Sequence, residues 1–82
     1  MSTLTLAELR PGKPARVQSF SKSQTPEEEV FLERLMQMGM LEGSEVEMIK
    51  EAPFGGAVVV SCRGTLLALR TSEAKRVMVQ EL

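Results

Sequence analysis

The hydrophobic pattern of this chain is helical over one long stretch and two-residue periodic over most of the rest. Phe31, Leu35 and Met38 recur at three- and four-residue spacing, flanked by Val30 and Leu32, and predict an amphipathic helix with Phe31-Leu35-Met38 as its buried stripe. Thr25 stands at its N-cap and Pro26 at the first helical position. Glu28 sits at the capping-box spacing, where its side chain can bond back to the cap. Glu27, Glu28 and Glu29 face the positive end of the helix dipole, so the acidic run needs no metal to explain it. Gly39 falls where the helix must end in the left-handed region, which costs other L-residues roughly 1–2 kcal/mol. Gly43 marks a second reversal before the strand pattern of Val46 and Met48. Two turns this close fold the helix back onto the sheet that follows.

Five strands are predicted. Ala15, Val17 and Ser19 share one face of the first, and Phe20 is out of phase, the mark of a bulge or an edge. Val46, Met48 and Lys50 alternate with Glu45, Glu47 and Ile49 in the second. Ala52 to Gly56 is a hairpin-type loop with Pro53 and Gly55 as turn residues. Ala57–Cys62 is the third strand, Gly64 turns the chain, and Thr65–Arg70 is the fourth. The fifth, Val77 to Gln80, gives Val77 and Val79 to one face. Thr5 to Leu9 reads as one helical turn, capped by Thr5 and Glu8 and ended by Pro11-Gly12. Thr71 and Ser72 are expected to cap a short turn through Lys75. The expectation is a mainly β fold: a small closed or nearly closed β-barrel of about five strands with an inserted α-helix. Closure would remove the open edges.

Composition narrows the classes. With 82 residues the chain is expected to form one domain over 1–82, with modest stability. It has three Phe, no Trp or Tyr, and six Met that fill space as adaptable apolar side chains. A net charge of −1 argues against a general nucleic-acid binder. Arg10, Lys13, Arg16 and Lys22 read as solvated surface. Cys62 is the sole cysteine, so no intramolecular disulfide forms. Without a signal peptide or an apolar run near 18 residues, the expected location is cytoplasmic, with no membrane insertion.

Catalytic chemistry finds little to work with. There is no histidine, no phosphate-binding glycine loop and no paired-cysteine zinc motif. Cys62, on a valine-rich strand with no imidazole to activate it, reads as an inert buried thiol. Met36, Met38 and Met40 raise the idea of a thioether site, but helical spacing turns Met38 away from Met36, and Met40 lies beyond the helix exit. No enzyme activity, cofactor or metal site is expected. Instead, Met36, Met40, Leu41 and Phe54 are apolar side chains in turn-like places and form the candidate partner-binding set. At least one of Met40 and Leu41 is expected to plug the end of the barrel.

An ordered set of positions carries a family resemblance. Leu6-Ala7-Glu8-Leu9-x-Pro11-Gly12 and Ala15-Arg16-Val17 open it. Arg34-Leu35, Met38-Gly39-Met40, Gly43, Val46 and Ala52-Pro53-x-Gly55 continue it, and Gly64, Leu67-Ala68-Leu69-Arg70 and Glu73-Ala74 close it. Together they resemble the FeoA family, small cytosolic proteins of bacterial ferrous iron uptake. The resemblance implies an SH3-like barrel with an inserted helix. It also implies a supporting role for the FeoB membrane transporter, through contact with its cytosolic GTPase-bearing part. A weak homo-oligomer is a further possible assembly. Three positions depart from the family pattern: Glu42 where proline is common before Gly43, Gly56-Ala57 in place of Asp-Pro, and Thr65 where an aromatic often follows Gly64. The related C-terminal domain of DtxR-type metal-dependent repressors is the main alternative. A chain opening at Met1 without a helix-turn-helix fits a free-standing protein better. A module gripping proline-rich peptides needs aromatic walls, which a chain without Trp or Tyr supplies poorly.

Overall fold

The computed structural model describes residues 3–22, 24–51 and 56–82. The elements run β1 (Thr3–Thr5), a 3-10 turn (Leu6–Glu8), β2 (Pro14–Phe20), α1 (Pro26–Gln37), β3 (Glu45–Glu51), β4 (Ala57–Cys62), β5 (Thr65–Arg70), α2 (Thr71–Ala74) and β6 (Val77–Glu81). Six antiparallel strands pair in the order β1-β6-β2-β3-β4-β5. This corrects the expected number of strands. Thr3-Leu4-Thr5 adds to the far side of β6, with Leu4 opposite Val79. The sheet curls like a small barrel, but β1 and β5 do not pair, so it is not closed.

Alternation along the strands builds the core. Ala15 and Val17, Val46 and Met48, Val58, Val60 and Cys62, Leu67 and Leu69, and Val77 and Val79 all turn inward and are buried. The expected inward place of Ser19 is not realised. The β2–β6 register shifts between Val17 and Ser19, which leaves Ser19 exposed and brings Phe20 against the core. A second shift, between Met48 and Lys50, leaves Ile49 and Lys50 exposed. Leu6 and Leu9 close the core from the 3-10 turn. Only half of the capping box expected there forms. The Thr5 N–H donates to the Glu8 carboxylate at 2.8 Å, while the Thr5 hydroxyl is buried without a partner. At α2, Arg70 rather than Thr71 or Ser72 holds the cap position. Its N–H donates to the Glu73 carboxylate at 2.8 Å.

Helix α1 begins as its sequence requires, with Pro26 in the first turn and the Glu28 N–H donating to Thr25 Oγ1 at 3.2 Å. The Glu28 carboxylate reaches one residue further back than expected, to the Gln24 N–H at 2.7 Å. The buried face also differs from the predicted stripe. Leu32 and Leu35 are buried, Phe31 is partly buried, and Met38 is 44% exposed. Met38 is the C-cap residue, past the last full turn, so the helical period no longer aims it at the sheet.

Candidate docking surface at the helix exit

The exit from α1 is held by backbone geometry. Gly39 has φ of +99°, and two hydrogen bonds close the end: Met40 N–H to Leu35 C=O at 2.9 Å, and Gly39 N–H to Met36 C=O at 3.0 Å. These are the two bonds of a Schellman cap, which pairs the residue after the glycine with a helical residue in an apolar contact. Here those residues are Met40 and Leu35, both fully buried. Met40 therefore plugs the barrel end and is removed from the candidate partner-binding set.

The next residues pin the exit to the sheet. Gly43, with φ of +89°, donates its N–H to the Val17 C=O at 2.8 Å, and the Val17 N–H donates to the Ser44 C=O at 2.8 Å. Ser44 Oγ accepts from the Leu41 N–H at 3.0 Å and donates to the Gly39 C=O at 3.2 Å. The Cys62 thiol points at that same carbonyl, 3.8 Å away. Burial pushes the Cys62 thiol above its ordinary pKa, and the neighbouring Arg63 guanidinium offsets part of that rise. Burial and the raised pKa favour the neutral thiol, the weakly nucleophilic form.

The last turn of α1 and this fixed exit display three apolar side chains: Met36 from the helix, Met38 at its C-cap and Leu41 from the loop, each 44% exposed. Beside Leu41 lies an open cleft lined by Glu42, Gly43, Ser44, Glu45 and Arg63. The sequence placed Met36 and Leu41 here and put Met38 in the core. The signal for Met38 was its position directly before the glycine cap. Phe54, Pro53 and Gly55 lie outside the described residues. Gly39, Gly43 and Gly64 occupy the turns expected of them, all with positive φ. The three methionines do not gather as thioether ligands, since Met40 is enclosed and the other two are at the surface. Among the described residues no group of three or more His, Cys, Asp or Glu side chains is placed to hold a metal ion. No helix among them is long and apolar enough to cross a membrane.

The FeoA domain model matches residues 4–81. A search of the curated proteins finds no match. Among solved structures, FeoA of Stenotrophomonas maltophilia, complexed with zinc and described as a prokaryotic SH3 domain protein, is 37% identical. That match has a TM-score of 0.80 over 94% of this chain and 89% of that one. The FeoA protein of Chlorobium tepidum is 33% identical, with a TM-score of 0.84 over 96% of this chain and 70% of that one. A manganese-dependent transcriptional repressor shares the fold at 20% identity, with a TM-score of 0.84, and this chain spans 38% of its length. The fold is SH3-like, and the chain belongs to the FeoA family.

Proposed function

We propose that this protein is a cytoplasmic, non-enzymatic accessory of bacterial ferrous iron uptake that docks on the cytosolic, GTPase-bearing part of a FeoB-type transporter. The observation that carries the reading is the helix exit. Met36, Met38 and Leu41 stand out from a helix end and loop whose backbone is fixed by the Schellman bonds, Ser44 and the Val17 ladder. Unbranched methionines on a rigid base suit contact with a partner, because the side chains adapt while the backbone loses little freedom on binding. Membership of the FeoA family supplies the iron-uptake context. Phe54 joins the docking set from the sequence alone.

The direct test is a pull-down of the transporter's purified cytosolic part by this protein, with and without guanine nucleotide. Retention of the wild type and loss with Met36→Asp/Leu41→Asp is the expected result. Equal retention of the folded double variant would move the docking surface elsewhere, and no retention of either would remove the partner.

A further inference from the structure

The β4–β5 hairpin turns through two residues, Arg63 with φ of +53° and Gly64 with φ of +82°, and Cys62 faces Thr65 across it. In such a hairpin the flanking pair is hydrogen-bonded, and bonded and non-bonded pairs alternate from there. Thr65, Leu67 and Leu69 therefore aim their N–H and C=O groups at β4, while Leu66, Ala68 and Arg70 aim theirs away. The Arg70 N–H fits this parity, since it bonds to Glu73 instead of to β4. No strand among the described residues lies on that side of β5. The N–H and C=O groups of Leu66 and Ala68 thus form a free edge.

This edge has few of the devices that usually protect one. Sheets guard their margins with very short strands, charged residues, proline or bulges. At the opposite margin β1 has only three residues. β5 has six, pairs with β4 in unbroken register, has no proline, and carries its one charge, Arg70, at its last position. Leu66 is 65% exposed on the outer face, more than any other large apolar residue described.

We infer that β5 pairs with β5 of a second copy of this chain, antiparallel about a two-fold axis, with Leu66 opposite Ala68 of the second copy. That register lets each Leu66 exchange both backbone bonds with an Ala68, so every free group on both edges is satisfied. On the outer face it sets a large side chain beside a small one. It also sets Arg70 opposite Gly64 of the second copy, which has no side chain to crowd it. Two short edges bury far less than the roughly 1,200 Å² of a stable specific interface, so the pairing is weak and populated at high local concentration. It shares no residue with the helix-exit surface and does not depend on the transporter.

Cysteine cross-linking reads the register. Opposite residues of a hydrogen-bonded antiparallel pair lie about 5.5 Å apart at Cα, within disulfide reach. Under mild oxidation, a mixture of the Leu66→Cys and Ala68→Cys proteins is expected to give the mixed dimer in several-fold excess over either homodimer. A statistical distribution, or no cross-link, overturns the pairing. Amide spectra of the unmodified protein supply a second readout. The Leu66 and Ala68 amides should shift as concentration rises into the millimolar range, and Leu66→Lys, which charges the edge, should abolish the shift. Concentration-independent amides, or an unchanged shift in the Lys variant, would contradict the proposal.

Discussion

Arg76 Nη2 lies 2.6 Å from Oε1 of Glu28 and joins the approach to β6 to the first turn of α1. The same guanidinium nitrogen donates to the Lys22 C=O at 3.1 Å, and the same carboxylate oxygen accepts from the Gln24 N–H at 2.7 Å. One ion pair therefore ties the connection leading into the helix to the approach to β6. It matters because Leu32 and Leu35 are the only buried anchors of α1, and Leu35 alone is fully enclosed. Both side chains are about three-quarters buried, at 22% and 26% exposure, so water screens the pair only in part. Arg76→Ala should cost about 1–2 kcal/mol in denaturant unfolding, and Glu28→Gln less. Loss of stability below a few tenths of a kcal/mol in Arg76→Ala would show that the helix start is held by its cap alone.

Gly43 tests the backbone of the exit in isolation. A Cβ built there meets nothing within 4 Å, so any penalty comes from its φ of +89° and not from crowding. Gly43→Val is expected to cost about 1–2 kcal/mol or more, read as a drop in melting temperature. An unchanged melting temperature would contradict the conformation.

Met40 and Leu41 are neighbours with opposite roles. Met40→Ala empties a fully buried site and should cost about 2–5 kcal/mol. Leu41→Ala, at a 44% exposed site, should stay within about 1 kcal/mol of wild type in thermal unfolding. Equal losses from both would place Leu41 in the core.

Cys62 makes stability fall at alkaline pH. Its folded pKa is raised above the ordinary value of 9.0, chiefly by burial. As pH rises past the unfolded value, the unfolded chain loses the thiol proton while the folded one keeps it, which favours unfolding. Denaturant midpoints should decline above about pH 9 in wild type and decline less in Cys62→Ala. Identical alkaline slopes would show that the thiol makes no such contribution. Thiol reagents should leave the folded protein largely unmodified at neutral pH.

The sequence carried most of the fold in residues that admit few alternatives. Gly39 before Met40, Thr25-Pro26 with Glu28, and the alternation through Val58 and Val60 each fix a local conformation that the tertiary structure keeps. The three residues of β1 are too few to show a period, and pairing with β6 alone makes them a strand. Leu32 in place of Met38 was hidden for a related reason. Helical periodicity orders a face but does not say where the last turn stops facing the sheet. Arg76 meets Glu28 from 48 residues away, a contact that no local pattern encodes. At the candidate site, Met36 and Leu41 were legible as apolar residues around a turn. Whether Met40 or Leu41 turned inward depended on the Schellman bonds to Leu35 and Met36.

Calorimetric titration of a FeoB-type transporter's cytosolic part with this protein and with its Met36→Ser/Met38→Ser/Leu41→Ser variant tests the docking surface most directly. Circular dichroism and melting temperature of the variant should stay close to wild type, since all three side chains are substantially exposed. The expected result is binding by the wild type and a loss of about tenfold or more in the variant, a difference of roughly 1.4 kcal/mol. Wild-type affinity in the folded variant would contradict docking through the helix exit.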